Sequence, residues 1–274
     1  MSSSRQVELV PGAPRIAYET AGPSNQPTPL IFLHGIGGHR GNWRRQLDAF
    51  ADQHRVVAWD ARGYGASDDY DGDLDFAAFA TDLERLLDHL GCTRAHLCGL
   101  SMGGRIILDF HDRHAERIES LILVDTFPGF DSSFTQEGRE RFVRERRQPL
   151  IEGKELADIA PIVAPTLVGP NASQAIIDEL IDSMSRLHKD SYIKTVQSMT
   201  MYQPVADLSR VQVPVQIIVG RDDKLTPVKV SEQMANDIAH ARLSIIEDCG
   251  HLSNIEQPTA FNKILRTFLQ TFPG

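Results

Sequence analysis

Apolar and polar positions follow two rhythms along this chain. Short apolar runs of strand length occur at Leu30–Leu33, Arg55–Trp59, Ala95–Cys98, Ile118–Val124, Val213–Val219 and Leu243–Ile246. Segments of helical spacing lie among them: Asp75–Leu90, which stops at the C-cap residue Gly91, then Gly103–His114 and Pro258–Phe272. Ile118–Val124 and Val213–Val219 have the apolar, β-branched character of strands buried on both faces. Val7–Val10 and Arg15–Thr20, joined by Pro11-Gly12-Ala13-Pro14, predict an opening hairpin. Strands alternating with helices predict βαβ units. The expected fold class is therefore α/β, with a mostly parallel central sheet and helices on both faces.

The alternation fails between about Phe127 and Val205. That stretch has helical patterns, Pro149, Pro161, Pro165 and Pro170, and no convincing strand. It predicts a helical insertion between two sheet strands. The expected division is a core of residues 1–126 and 206–274 and an inserted segment of residues 127–205.

Composition narrows the classes. The chain has 274 residues, 41% hydrophobic and 24% charged, which suits one globular domain with an insertion and excludes a disordered chain. A net charge of −9 argues against nucleic-acid or anionic-membrane partners, which need clustered Lys and Arg. Cys92, Cys98 and Cys249 show no CxxC or Cys/His spacing, so neither a disulfide framework nor a zinc site is expected. No apolar run reaches the roughly 18 residues of a membrane helix, and residues 1–14 hold no signal-like apolar stretch. A cytoplasmic protein acting on a small molecule, without cofactor or metal, is the expectation. A homodimer stays open, since no interface is legible.

The chemistry centres on Gly99-Leu100-Ser101-Met102-Gly103, between an apolar strand and a helix. G-x-S-x-G in that context forms a sharp strand–turn–helix elbow that pushes the serine out at the carboxyl edge of the sheet. A serine hydroxyl needs a base to take its proton. His251, just beyond the strand Leu243–Ile246, is the candidate. The acid that orients it should follow Val213–Val219. There Asp223 is favoured over Asp222, with Asp125 a third candidate at the end of Ile118–Val124. His39 could approach the pocket mouth, but it precedes the elbow. Backbone N–H groups of Met102 and Ile36 are the candidate oxyanion donors. The Gly-rich loop at Ile36 lacks both the G-x-x-x-x-G-K-[ST] and the G-x-G-x-x-G pattern of nucleotide sites. Asp60-Ala61-Arg62-Gly63-Tyr64-Gly65-Ala66-Ser67 reads as a structural turn with internal charge pairing.

Taken together, the chain resembles the α/β-hydrolase family over essentially its full length. The matching pieces are His34-Gly35-x-Gly37-Gly38, Asp60-x-Arg62-Gly63-x-Gly65-x-Ser67, Gly99-x-Ser101-x-Gly103-Gly104, Gly220-x-x-Asp223-x-x-x-Pro227 and Gly250-His251, in the family's order. The resemblance implies a Ser101–His251–Asp223 triad and a cap formed by residues 127–205. The segment His251-Leu252-Ser253-Asn254-Ile255-Glu256-Gln257-Pro258 looks most like the 3-oxoadipate enol-lactonase branch of serine esterases and lactonases. Two features depart from that branch. The only tryptophans are Trp43 and Trp59, neither in the inserted segment, and Tyr64 stands where histidine is often found.

Glu137–Arg147 carries Arg139, Arg141, Arg144, Arg146 and Arg147 among three glutamates. The favoured reading is a solvated, salt-bridged helix face, with one arginine free to turn inward as a carboxylate clamp. Gly37, Phe127 and Leu252 are the candidate substrate contacts. Phe130, Phe134, Met184, Met199 and Met201 could also line an apolar pocket. The leading expectation is an ester or lactone hydrolase working through an acyl-enzyme. Its rivals are a carbon–carbon bond hydrolase acting on a diketone, a cofactor-free perhydrolase, and a non-catalytic ligand receptor on the same scaffold.

Overall fold

The computed structural model describes residues 5–129, 135–201 and 206–272. Its strands are β1 (Val7–Val10), β2 (Ile16–Ala21), β3 (Leu30–Leu33), β4 (Val56–Trp59), β5 (Ala95–Leu100), β6 (Ile118–Val124), β7 (Val215–Gly220) and β8 (Arg242–Ile246). They form one sheet in the order β1-β2-β4-β3-β5-β6-β7-β8. The pairs β1–β2 and β2–β4 are antiparallel; every pair from β4 to β8 is parallel. The parallel strands therefore present their carboxyl ends along one edge, where α/β sheets carry their functional loops.

Helices make the crossovers. They are α1 (Arg44–Phe50), α2 (Ala77–His89) and α3 (Met102–His114), then α4 (Gln136–Ile151), α5 (Leu156–Val163), α6 (Gln174–Ser185) and α7 (Lys189–Met201), then α8 (Val228–Asp237), α9 (Ser253–Glu256) and α10 (Pro258–Thr271). Helices α4 to α7 all fall between β6 and β7, and no strand interrupts them among the described residues. Every residue of β3, β4 and β5 is buried, as continuous apolar runs covered on both faces must be. In α2 the buried set Phe79, Leu83, Leu86 and Leu87 follows the i, i+4, i+7, i+8 spacing of one helical face. In α10, Phe261, Leu265, Phe268 and Leu269 do the same.

The sequence pattern did not reveal α1 and α8. Both are short, and each buries only three side chains, a mixture of polar and apolar, so neither has a clean stripe. The seventh strand starts at Val215 and not Val213, because Pro214 has no N–H for the ladder and sits just before it. No described helix is long and apolar enough to cross a membrane.

Candidate active site

The elbow is built by close packing. Strand β5 ends at Leu100, α3 begins at Met102, and Ser101 between them sits at φ 52°, ψ −112°. That conformation is unfavourable for a residue with a Cβ and persists only where its surroundings enforce it. Here Ser101 N donates to Val124 O at 2.9 Å. Thr126 Oγ1 donates to Ser101 O at 2.7 Å. A Cβ on Gly103 would lie 2.3 Å from Leu33 O, and one on Gly99 would lie 2.4 Å from the Gly103 backbone. The missing side chains let α3 press against β3 and β5, and this aims Ser101 off the sheet edge.

Asp223 follows β7 and His251 follows β8. Asp223 Oδ1 accepts from Leu225 N at 2.8 Å and Thr226 N at 3.0 Å, while Oδ2 accepts from Thr226 Oγ1. The same Oδ2 lies 2.9 Å from His251 Nδ1. A carboxylate can only accept, so Nδ1 carries the hydrogen and Nε2 is left with a free lone pair. Burial alone would push Asp223 up, but the adjacent His251 and Thr226 outweigh it and hold the carboxyl below its ordinary value. Burial likewise works against the His251 imidazolium, but Asp223 overcomes it and raises the pKa above the ordinary 6.5. Ser101 and His251 line one cavity. Ser101 Oγ makes no hydrogen bond to His251 in this structure; His251 Nδ1 is held by Asp223.

The loop after β3 contributes the third part. Gly38 N donates to Gly35 O at 3.0 Å, closing a turn with Ile36 and Gly37 at its tip. Among the described residues no carbonyl takes the N–H of Ile36 or Met102. His34 fixes the base of this loop: its Nδ1 lies 2.8 Å from Gly35 O and its Nε2 accepts from Ala61 N at 3.0 Å. Burial pulls His34 down to about 4, so it remains neutral and structural. Ile36, Gly37, Phe127 and Leu252 all line the cavity, as do Met184 and Met199.

Several expectations change. Met201 is 66% exposed and does not line the cavity. Phe130 and Phe134 lie outside the described residues. His39 caps the turn at Arg40–Trp43, taking a bond from Gly41 N at 3.1 Å, and does not line the cavity. The charge pairing of the 60–67 turn is not internal: Asp60 pairs with Arg40, and Arg62 pairs with Asp82. Pairing inside so short a turn would leave both groups half-solvated, whereas these partners come from neighbouring elements. Asp125 makes no bond to His251. At φ 43° it accepts from Gly220 N at 2.9 Å, Ser253 N at 3.0 Å and Ser253 Oγ, tying β6, β7 and the histidine loop together. Burial, reinforced by Asp223, pushes it up to about 7.

One residue of the His251–Pro258 segment has a role that the sequence does not announce. Buried Glu256 accepts from Gly169 N at 2.7 Å, Gly250 N at 3.1 Å and Leu252 N at 3.2 Å. His251 N donates to Leu167 O at 2.7 Å. The histidine loop is thus fastened to the inserted segment at residues 167–169.

A strand–serine–helix elbow and a histidine paired to the carboxylate of the preceding strand's loop, with the serine and the histidine on one cavity that Ile36 also lines, define a hydrolase-type site; Met102 follows the serine but does not itself line that cavity. The model of the alpha/beta hydrolase fold matches residues 28–258, and the chain belongs to the α/β-hydrolase family. The chain is similar to several enzymes. The 3-oxoadipate enol-lactonase 2 of Acinetobacter baylyi is 29% identical over 258 residues, 93% of each chain. A 2-hydroxy-6-oxononadienedioate/2-hydroxy-6-oxononatrienedioate hydrolase of Burkholderia vietnamiensis is 30% identical, covering 93% of this chain and 91% of its own. Among solved structures, a malate-bound thermophilic esterase from Thermogutta terrifontis superposes with a TM-score of 0.86 at 26% identity, over 98% of this chain and 99% of its own.

Proposed function

We propose that this chain hydrolyses a carboxylic ester or lactone of a small molecule through an acyl-enzyme on Ser101. The observation that carries the reading is the Asp223–His251 pair, which leaves Nε2 as the free base on the cavity that Ser101 also lines. His251 Nε2 takes the Ser101 proton as Oγ attacks the substrate carbonyl. The N–H groups of Ile36 and Met102 hold the developing oxyanion, with the α3 N-terminus adding its favourable dipole. The intermediate collapses, His251 protonates the departing alkoxide, and the acyl group stays on Oγ. His251 then deprotonates a water that attacks the acyl carbon and releases the acid. In a lactone the departing hydroxyl remains tethered, so one product leaves. Helices α4 to α7 act as a cap, since Phe142, Leu180 and Met184 close the cavity from that side. The enol-lactonase relative favours the lactone form of the reaction.

A second reading, cleavage of a carbon–carbon bond in a diketone, is favoured by the 30% identity to the dienedioate hydrolase. One experiment tests both. The protein is treated with a 4-nitrophenyl phosphonate; one portion is digested and mapped by mass spectrometry, and the intact remainder is assayed beside untreated protein on lactones, an enol-lactone, 4-nitrophenyl esters and a dienoate. The adduct is expected on Ser101, with loss of lactone and ester turnover. Turnover that survives full labelling rejects a serine mechanism, and a dienoate cleaved far faster than any ester selects the second reading.

The pH profile follows from the sign of the His251 shift. The base must be neutral, and its pKa lies above 6.5. kcat/KM is expected to be flat at alkaline pH and to fall tenfold per unit below an inflection higher than 6.5. An inflection below 6 would mean that Asp223 does not stabilise the imidazolium.

A further inference from the structure

Helix α4 turns one charge inward. Phe142, Arg146 and Leu150 are its buried residues, spaced i, i+4, i+8, so the arginine occupies a core position of the helix. Arg146 is 8% exposed and lines the cavity that holds Ser101 and His251. It is the only Lys, Arg, Asp or Glu among the described residues lining that cavity. Its guanidinium sits 3.9 Å from the Phe142 ring centroid. Among the described residues it forms no ion pair and no hydrogen bond. Tyr192 stands beside it, but burial pushes that phenol up to about 12, so it is neutral and supplies no counter-charge. The acid whose charge reaches Arg146 is Glu145, exposed on the outside of the helix.

An arginine cannot shed its proton to escape burial. Burying a cation without an anion is costly, and a hydrophobic residue of similar shape is the more stable choice. The five N–H donors form a planar fork that matches a carboxylate. We propose that Arg146 binds a free carboxylate of the substrate, so that the site takes the ester or lactone of an acid carrying a second, ionised carboxyl group. The aromatic face of Phe142 orients the guanidinium, and the aliphatic lining accepts the chain between the two carboxyl groups. The proposal rests on the ester or lactone reading above.

The test compares mono-4-nitrophenyl esters of C4–C8 α,ω-diacids with 4-nitrophenyl alkanoates of equal length. Wild type is expected to favour the anionic member by about 10- to 100-fold in kcat/KM, the range of a charge-assisted pair. In Arg146→Met that ratio is expected to fall to near one, chiefly through KM, while Arg146→Lys keeps part of it. Arg146→Met is also expected to melt no lower than wild type, which separates lost recognition from lost folding. Independently, the diacid dianions are titrated calorimetrically into Ser101→Ala, with and without Arg146→Met. At least tenfold weaker binding on loss of the arginine is expected. A wild-type ratio near one, or an unchanged ratio and diacid affinity in Arg146→Met, overturns the carboxylate site. Ester turnover persisting in Ser101→Ala would instead overturn the serine mechanism, leaving the titration to decide on Arg146.

Discussion

Ser101→Ala is expected to lower kcat for the preferred ester or lactone by about 10⁴–10⁶-fold, the span seen when a nucleophile of this type is removed. The fold should survive. Ser101 Oγ holds no hydrogen bond among the described residues, so its loss orphans no partner; the bonds that fix the turn run through Ser101 N and Ser101 O. The left-handed backbone at φ 52° is equally strained for alanine, so the melting temperature should move by only a few degrees. Ser101→Gly separates strain from chemistry. It should be just as inactive, yet more stable, because glycine occupies that region without the roughly 1–3 kcal/mol cost of a strained non-glycine residue. Stopped-flow assays with thermal melts of the three proteins decide the matter. An alanine variant retaining a tenth of wild-type turnover would remove Ser101 from the chemistry.

Much of this site is legible in the sequence because its parts are local. The elbow needs a strand, a serine between glycines and a helix, all within Ala95–His114. Asp223 and His251 are each announced by the apolar strand before them. The sheet itself reads easily where strands are buried on both faces, as in β3, β4 and β5. What stays hidden depends on residues far apart in the chain. Asp60 finds Arg40 and Glu256 finds Gly169 only after the crossovers and the insertion have packed. Asp125 looks like a spare acid from its place after β6, and only the fold shows its acceptor sites filled by Gly220 and Ser253. Arg146 is an intermediate case. Five arginines in one helix suggest a wet face, yet spacing of four from Phe142 and from Leu150 places this one on the apolar stripe. Reading the helix by phase, and not by composition, would have singled it out.

The two buried acids should respond oppositely to the same amide substitution. Asp223→Asn preserves size, and its remaining carbonyl oxygen can still accept from Leu225 N and Thr226 N. Its other oxygen becomes an N–H₂ donor facing His251 Nδ1, now 2.9 Å away. The imidazole then protonates Nε2 instead, and the tautomer that takes the Ser101 proton is lost. A fall in kcat of about 10⁴-fold is expected with the fold intact. The residual rate should also titrate lower, because the charge that raises the His251 pKa has gone. Asp125→Asn places its amide against Gly220 N–H or Ser253 N–H, so one buried donor loses its acceptor, at about 1–3 kcal/mol of stability. Its kcat should fall far less, because Asp125 reaches His251 through the loop it anchors and not through a hydrogen bond. Removing Asp125 also takes away a carboxylate that raises the His251 pKa, so the kcat/KM inflection should move slightly down while the plateau changes little. Chemical denaturation gives the first quantity and the pH–rate profile the second. If Asp125→Asn proved the slower enzyme and Asp223→Asn the less stable one, the roles assigned to the two carboxylates would have to be exchanged.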